Sequence, residues 1–291
     1  MIYLTLILTT LFWGGTFIAG RVLAESVAPA DAAFMRFVLA AVTLAVLTRM
    51  IDGRLRLPPR DQLVSLLLLG LTGVFCYNIC FFSGLRFIEA GRASLIIALN
   101  PMAITVGAVF LFGERLSLLQ CAGLLISLFG AFLVISNGNP AILISGGIGW
   151  GEIAILGCVI SWAAYSLIGR NVLKSMSPLS AVFYSALFGA LMLFPATLVG
   201  EAPLQIHTYS SADWISLLFL GILGTAAGFS LYYQAIRAIG SARSSVFINL
   251  VPLFSILLAW IFLGETINFS VLGGGIILMS GVYLTNKKAK T

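Results

Sequence analysis

Charged side chains are scarce in this sequence: Asp, Glu, Lys and Arg together make up 9% of its 291 residues. At that composition, a soluble domain would have too few charges to cover its surface. Hydrophobic residues make up 60% of the chain, and the mean hydropathy is +1.09. These values exclude an ordinary soluble protein and predict a protein embedded in the lipid bilayer.

Residue types that carry out catalysis or bind metals are also rare. The chain has one histidine, His207, and four cysteines, and the cysteines lie in apolar runs without neighbours that could complete a metal site. No Asp or Glu lies near the middle of an apolar run, whereas an enzyme inside the membrane needs paired catalytic groups at that depth. We therefore predict that the protein is not an enzyme and has no catalytic residue, no metal and no cofactor.

Long apolar runs are what the sequence has in abundance. A helix that spans a bilayer needs about 20 largely apolar residues, and division of the chain at charges, prolines and glycine clusters predicts an all-α membrane protein with ten such helices. Their bounds are roughly 2–22, 31–51, 62–84, 91–111, 117–136, 150–170, 178–199, 212–235, 242–262 and 269–286. The connections are short, which leaves no room for a soluble domain.

The chain contains one unit twice. Pro101 corresponds to Pro252 at an offset of 151 positions, and Trp13 corresponds to Trp162 at an offset of 149. Each unit holds five predicted helices. In a membrane protein, such a duplication is typical of a transporter. The two units cover residues 1–137 and 149–286.

The odd number of helices per unit has a geometric consequence. The second unit must enter the membrane from the opposite side, so the two units are predicted to be inverted repeats related by a pseudo-twofold axis in the membrane plane. With the N-terminus in the cytoplasm, twelve of the 16 Lys and Arg residues lie on the cytoplasmic side, as the positive-inside rule requires. We predict an inner-membrane protein with both termini in the cytoplasm. Its net charge of +6 follows from this topology, and no nucleic acid partner is expected.

Two prolines interrupt helices at corresponding positions. Pro101 and Pro252 lie near the middle of predicted spans, where proline removes a backbone hydrogen bond and bends the helix. Asn100 precedes one proline and Asn249 lies close to the other. Kinked, partly polar helices at matching positions of two repeats point to a binding site at the midplane. We predict that Pro101 and Pro252 act as hinges; a bend that only improves packing is the alternative.

Aromatic residues lie near the same depth. Trp13 and Trp162 are about 10–13 residues into their spans, too deep for the interfacial position that tryptophan usually takes. Tyr and Asn residues flank the glycine faces of the neighbouring spans. We predict a central cavity between the repeats, with packing of the bundle as the alternative role. The predicted substrate-binding residues are Trp13, Tyr77, Asn78, Asn100, Trp162, Tyr165, Tyr232 and Asn249.

Three further charged residues lie near the ends of predicted spans, and we expect them to have structural roles. Glu114 and Glu265 each follow a glycine and precede a span, so we expect them to interact with a helix dipole, with a gating role as the alternative. Arg36 has no counterpart in the second unit, where Ser185 occupies its position. We expect Arg36 to form a salt bridge at the rim rather than contact the substrate. The candidate partners are Asp31 and Glu25.

Several of these segments resemble a known family. The FWGGTF stretch at 12–17, the AFMRF stretch at 33–37, the two prolines and the paired turns at 112–114 and 263–265 are similar to the drug/metabolite transporter superfamily, and within it to EamA-type exporters, most of all those of the YddG type. The resemblance covers the whole chain. It implies ten helices in two inverted repeats around a central cavity, and export of amino acids or metabolites. The small multidrug branch depends on a membrane glutamate in its first helix; here position 13 is Trp, which argues against exchange of cations for protons.

These observations predict an exporter of small zwitterionic metabolites, with neutral or aromatic amino acids favoured, that works by alternating access. The alternative is export of another metabolite or drug, such as a purine, a sugar or a cationic compound. The predicted partners are the small-molecule substrate and the lipid bilayer. We expect a monomer, with a dimer as the open alternative. We also expect absent or weak coupling to a proton or sodium gradient, because no carboxylate lies at mid-depth.

Overall fold

The computed structural model of the protein describes residues 2–53, 57–112, 117–135, 149–199, 205–240, 244–266 and 269–286, and all regular elements in these ranges are helical. Glu114 lies outside the described residues. The α-helices are α1 (Ile2–Ser26), α2 (Pro29–Ile51), α3 (Leu63–Leu69), α4 (Tyr77–Leu85), α5 (Ala90–Ile97), α6 (Asn100–Phe112), α7 (Leu118–Ile135), α8 (Trp150–Val172), α9 (Pro178–Leu198), α10 (Ser211–Leu218), α11 (Gly228–Ile239), α12 (Val251–Leu263) and α13 (Phe269–Asn286).

Seven helical stretches in the described residues are long and apolar enough to cross a membrane. They are Ile2–Ser26, Pro29–Ile51, Arg60–Leu85, Ala90–Leu111, Trp150–Val172, Pro178–Leu198 and Ser211–Ile239. Three shorter apolar helices accompany them: Leu118–Gly130, Phe247–Leu263 and Leu272–Gly281. The protein is therefore an all-helical, multi-pass membrane protein. The count of ten membrane spans stays a prediction.

Helix ends follow local sequence signals. Pro29 and Pro178 lie in the first turn of α2 and α9, where the missing N–H of proline is not needed. The Ser177 side chain caps α9 by accepting a hydrogen bond from the Ser180 N–H. Ser210 and Asp213 form a capping box at the start of α10. These signals fix where the apolar runs become helical.

Two spans contain π-helical segments at corresponding positions. The first π segment (Gly70–Cys76) joins α3 to α4, and the second π segment (Phe219–Ala227) joins α10 to α11. Glycines within both lie against neighbouring helices: a Cβ atom at Gly70 would lie 2.8 Å from the Gly189 nitrogen, and one at Gly221 would lie 3.1 Å from the Arg36 oxygen. π-helical turns often occur at functional sites.

The predicted proline kinks are breaks between helical pieces. α5 ends at Ile97, and α6 begins at Asn100 with Pro101 in its first turn. In the second half, a 3₁₀ segment (Val246–Leu250) precedes α12, which has Pro252 in its first turn. The interruption lies where the sequence predicts it. The prolines begin a new helical piece rather than bend a continuous helix, because proline is tolerated in a first turn.

α7 and α13, the last helix of each half, pack along each other. A Cβ atom at Gly130 of α7 would collide with the backbone of Leu278, and one at Gly281 of α13 would collide with the backbone of Ser127. Gly130 corresponds to Gly281, and Ser127 to Leu278, at the offset of 151 positions. The contact is therefore symmetric: each glycine packs against the residue that corresponds to the neighbour of the other glycine.

The other inter-half contacts also recur on exchange. α1 packs against α12, and its counterpart α8 packs against α6; the second π segment packs against α2, and the first against α9. The buried core contains residues of both halves, and α1 and α8 each contact helices of the opposite half. A cavity at this boundary is therefore lined from both halves.

Polar contacts join neighbouring helices at both ends of the bundle. At the end that we call the Glu152 end, Arg92 forms an ion pair with Glu152 at 2.8 Å. There the Glu265 carboxylate also accepts hydrogen bonds from the N–H groups of Ala90 (2.9 Å) and Gly91 (3.1 Å). At the opposite end, the Asp52 end, the Asp52 carboxylate accepts hydrogen bonds from the Ser177 and Ser180 hydroxyls.

Candidate functional site

The two corresponding tryptophans meet at the boundary between the halves. The Trp13 and Trp162 ring centroids are 5.2 Å apart with an interplanar angle of 85°, the edge-to-face arrangement that aromatic quadrupoles favour. Both are buried. Phe229 and Tyr232 of α11 also contact both indoles, at centroid distances of 5.0–6.0 Å.

More aromatic rings extend this cluster. Tyr77 lies 5.5 Å from Trp162, and Tyr165 lies 5.1 Å from it. Tyr165 in turn stacks on Tyr233 at 5.1 Å. The rings come from α1, α4, α8 and α11, so both halves contribute. We call Trp13, Tyr77, Trp162, Tyr165, Phe229 and Tyr232 the aromatic cluster.

The Trp13 indole is held by the second π segment. Its Nε1 donates a hydrogen bond to the Gly224 carbonyl at 3.1 Å. A Cβ atom at Gly228 would lie 2.7 Å from the same nitrogen, so glycine is needed there for the indole to approach. The position of this ring therefore depends on the local backbone of the π segment.

A small cavity lies within the aromatic cluster. Its volume is about 30 Å³, which is room for about two water molecules. Its walls combine aromatic rings and aliphatic side chains with a few polar groups. The lining residues are Trp13, Thr16, Phe17, Arg36, Tyr77, Phe81, Ile97, Asn100, Trp162, Phe229, Ile248 and Val251.

The structure brings the predicted site residues together to different degrees. Trp13, Tyr77, Asn100 and Trp162 line the cavity. Tyr165 and Tyr232 are fully buried in the surrounding aromatic cluster. Asn78 contacts a lining residue through a hydrogen bond to Arg36, and Asn249 is buried next to the lining residue Ile248. The two predicted hinge prolines lie next to the cavity wall in sequence: Pro101 directly follows the lining residue Asn100, and Pro252 directly follows the lining residue Val251.

The expectation for Arg36 is wrong. Its side chain does not pair with Asp31 or Glu25 at the rim; it is 3% exposed and lines the cavity. Glu25 instead lies 3.9 Å from Arg21. Arg36 is seven residues inside α2, or about 10 Å along the helix axis, so its head group reaches the interior.

A signal for this placement was present in the sequence. Ala32, Ala33 and Ala40 share a helical face with Arg36, at spacings of three and four residues, and all three are fully buried. A stripe of small apolar residues marks the face of a helix that packs closely against its neighbours. An arginine on that face points inward.

Both π-containing spans hold the Arg36 guanidinium. Its Nε donates to the Thr225 hydroxyl at 2.8 Å, and its Nη1 donates to the Asn78 side-chain oxygen at 3.0 Å. Thr225 lies in the second π segment and donates to the Leu220 carbonyl. Asn78 follows the first π segment and donates to the Val74 carbonyl within it. Arg36 thus links the two π-containing spans beside the cavity.

Two buried amide oxygens have no hydrogen-bond partner among the described residues: Oδ1 of Asn100, which lines the cavity, and Oδ1 of Asn249, which lies between the lining residues Ile248 and Val251 in sequence. Both side chains are buried. Buried polar atoms usually have partners, so an unpaired acceptor beside a cavity is suited to bind a donor group of a ligand. The described residues contain no cluster of His, Cys, Asp and Glu that could hold a metal. Aromatic walls with a few polar groups are typical of a small-molecule site.

Comparison with known proteins agrees with this architecture. The chain is 27% identical over 97% of its length to the uncharacterized transporter YyaM of Bacillus subtilis, and covers 92% of that protein. It is 28% identical over 97% of its length to a protein of Streptantibioticus cattleyicolor named as a probable terminal-alkyne amino-acid exporter, and covers 92% of it. It is 26% identical over 96% of its length to a protein of Escherichia coli named as a probable amino-acid metabolite efflux pump, and covers 92% of it.

Among solved structures, a crystal structure of a protein with 21% sequence identity superposes with a TM-score of 0.68, covering 97% of this chain and 94% of that one. This likeness concerns the fold. The model of the EamA-like transporter family matches residues 1–136 and again residues 149–287. Since these two matches account for nearly the whole chain, this protein is a member of the EamA-like transporter family and a transporter rather than an enzyme.

Proposed function

We propose that this protein exports small zwitterionic metabolites, with neutral or aromatic amino acids favoured, across the inner membrane by alternating access. The names of two relatives concern export of amino acids or their metabolites. Export of another metabolite or drug, such as a purine, a sugar or a cationic compound, is the alternative.

The observation that carries the proposal is the aromatic cluster around the cavity between the halves. Trp13 and Trp162 provide large apolar surfaces that can hold the side chain of an amino acid. Asn100 and Asn249 offer unpaired amide oxygens, which can accept hydrogen bonds from an ammonium group. We assign substrate-binding roles to these four residues and to Tyr77, Asn78, Tyr165 and Tyr232.

The cavity must enlarge to take such a substrate. Its volume is about 30 Å³, whereas small-molecule sites commonly measure about 300–1,000 Å³. Because the rings of Trp13 and Trp162 touch across the boundary between the halves, movement of one half against the other would separate them. A site at the boundary of two moving halves is the arrangement that alternating access requires.

The proposed architecture is ten spans in two inverted repeats, residues 1–137 and 149–286, with both termini in the cytoplasm. The exchange of contacts between the halves, including the Gly130 and Gly281 contacts, supports the pseudo-twofold axis. The polar contacts support the grouping of helix ends into two sides, since each joins two positions that the charge distribution puts on the same side; the charge distribution alone supports the orientation. Arg92 and Glu152 are then outside, and Asp52 and Ser177 are inside. We propose that the chain works as a monomer.

Proteoliposomes containing the purified protein test the proposal. Labelled phenylalanine, leucine, adenine, glucose and a quaternary ammonium dye are each loaded inside, and their efflux is followed over time. We expect saturable efflux of at least one neutral amino acid, and none from liposomes without protein. Efflux of only the purine, sugar or dye would replace the proposal by the alternative, and flux that does not saturate with substrate would indicate a channel.

A further inference from the structure

Arg36 is a buried cation without a buried anion. The described carboxylates include none in an ion pair with its guanidinium. Its protein acceptors are neutral, the Thr225 hydroxyl and the Asn78 amide. Its guanidinium carbon also lies 5.3 Å from the centre of the Phe37 ring, a contact that offsets only a small part of the charge.

A charge in this position is unfavourable unless something compensates it. Removal of an ion from water costs several kcal/mol even after the protein relaxes, and charged residues inside membrane spans usually mark substrate or ion pathways. The two neutral acceptors orient the guanidinium but leave its positive charge in place. Its third nitrogen, Nη2, has no hydrogen-bond partner in the described part of the chain. The guanidinium can therefore bind an anion that enters the cavity.

The two halves differ at this point, and the difference opens the space beside Arg36. Ser185 takes the place of Arg36 in the second half, and its hydroxyl lies 3.3 Å from that of Tyr165. The Tyr165 ring packs on Gly73 of the first π segment; at the corresponding place, the methyl group of the smaller Thr16 packs on Gly224 of the second. Thr16 and Arg36 line the cavity, so the cavity lies on the arginine side.

We propose that Arg36 binds the carboxylate of the transported substrate and is the residue that determines specificity for acids. This inference rests on the proposed function and names its chemical class: molecules with one carboxylate and an apolar or aromatic body. A substrate ammonium group contributes less, because no described carboxylate lines the cavity. Acids without an amine therefore bind more tightly than amines without a carboxylate.

The ligand panel consists of four compounds with one shape: phenylalanine, 3-phenylpropionate, phenylalaninamide and phenethylamine. Each is titrated into the purified wild-type protein, and the melting temperature is recorded, because a ligand that binds the folded state raises it. We expect the two carboxylates to act at concentrations about tenfold or more below the amide and the amine, as charge-assisted pairing with arginine implies. An equal effect of phenylalanine and phenylalaninamide would overturn the inference.

Substitutions at Arg36 test whether this residue causes the preference for carboxylates. In Arg36→Gln the carboxylates should lose their advantage, whereas Arg36→Lys should keep the preference with weaker binding, because lysine retains the charge but not the planar fork of donors. Arg86→Gln is the matched control: Arg86 is exposed, does not line the cavity and donates a hydrogen bond to the Val27 carbonyl. The preference of this variant for carboxylates should therefore equal that of the wild type. An unchanged preference in Arg36→Gln would also overturn the inference. If that variant does not fold, the wild-type panel decides between the two outcomes.

This test separates the two proposals. Preference for carboxylates that depends on Arg36, in a protein that moves no amino acid in liposomes, would uphold the specificity site and contradict amino-acid export. Amino-acid efflux without any preference for a carboxylate would uphold amino-acid export and contradict the specificity site.

Discussion

At the scale of single residues, Trp13 and Trp162 occupy corresponding positions but differ in how they are held. The Trp13 indole is bound to the Gly224 carbonyl, so its removal also frees a backbone acceptor within the membrane. Trp162 is held chiefly by ring contacts with its neighbours. Trp162 is therefore the better position at which to separate substrate contact from structural support.

We expect Trp162→Ala to weaken efflux of large neutral amino acids more than that of small ones. The substitution removes a ring that buries about 150–250 Å², and a large substrate loses more contact than a small one. Trp162→Phe should have a milder effect, since much of the ring surface remains. Efflux from proteoliposomes and the melting temperature are measured on the same preparations.

Trp260→Ala is the matched control, because this tryptophan of α12 is 58% exposed on the outside of the bundle. It should leave substrate preference unchanged. A Trp162→Ala protein with a lower melting temperature but an unaltered preference would assign Trp162 to packing of the bundle.

Glu265 has a more specific role than interaction with the dipole of the helix that follows it. Gly264 ends α12 in the left-handed conformation (φ 66°), which glycine adopts without strain. The Glu265 carboxylate then accepts two N–H groups at the start of α5, in the other half. We predict that Glu265→Ala destabilises the protein by about 1–2 kcal/mol, as loss of a helix cap does.

The melting temperature in detergent measures this effect. Glu89→Ala is the control: Glu89 directly precedes α5, but its exposed side chain makes no capping hydrogen bond. A Glu265→Ala protein as stable as the Glu89→Ala protein would show that the cap contributes nothing.

Much of the site could be predicted from residues because the duplication doubles each signal. Trp13 and Trp162 share a depth, and the structure brings them into contact. Arg36 was missed because it has no counterpart in the second half, and because the predicted span began at residue 31, only five residues before it, so that a long side chain could extend back to the rim. Its partners Thr225 and Asn78 are distant in sequence, and no spacing rule brings such residues together.

At the scale of elements, interruptions of regular helices surround the cavity. The second π segment carries Gly224 and Thr225, the partners of Trp13 and Arg36, and Asn78, the other partner of Arg36, lies in α4 just after the first π segment. The two proline breaks lie beside the lining residues Asn100 and Val251. Irregular backbone deep in a membrane occurs where it lines a cavity or is buried in protein. The irregular backbone of both halves therefore lies beside the cavity.

We predict that Pro101→Ala and Pro252→Ala slow transport without loss of stability. Alanine supplies an N–H that can extend the preceding turn, so the two pieces can join into a straighter helix that favours one access state. The melting temperature should stay the same or rise. Efflux rates in proteoliposomes give the functional effect.

Pro195→Ala serves as the control, because Pro195 lies inside α9 and is exposed, apart from the two breaks. Its transport rate should match that of the parent. If Pro101→Ala and Pro252→Ala both transport substrate at the wild-type rate, the two prolines contribute to packing and not to movement.

The long helices could be predicted from the sequence, but the π-helical segments within them could not. Apolar runs of about 20 residues marked the long helices, since length and composition decide whether a helix can span a bilayer. The π segments were not predicted. Their glycines were recognised, but a glycine stripe is equally compatible with regular helices in close contact, and only the neighbouring helices decide between them.

At the scale of the whole molecule, the proposed inverted repeats make corresponding residues face opposite sides of the membrane. Arg86 and Arg237 correspond at the offset of 151 positions, and both are exposed. In a background with the four native cysteines replaced, Arg86→Cys should react with a membrane-impermeant maleimide added to intact cells. Arg237→Cys should react only after the cells are opened. Reaction of both from the same side would contradict the inverted arrangement.

Coupling to an ion gradient is also a property of the whole molecule. No described carboxylate lines the cavity to carry a proton across. We therefore expect substrate to leave proteoliposomes down its own gradient without an imposed pH or sodium gradient. Flux that occurs only with one of these gradients would reveal a coupling residue, and Glu152, buried and paired with Arg92, would be examined first.

The preference for carboxylates that we propose for Arg36 has an electrical consequence. A zwitterion carries no net charge, so its passage is indifferent to voltage. A simple carboxylate carries one negative charge, and moving one elementary charge through 100 mV is worth about 2.3 kcal/mol, a ratio of about 50 in concentration. In a cell that is negative inside, the membrane potential alone would drive such acids outward, while amino acids would leave only down their own concentration gradient.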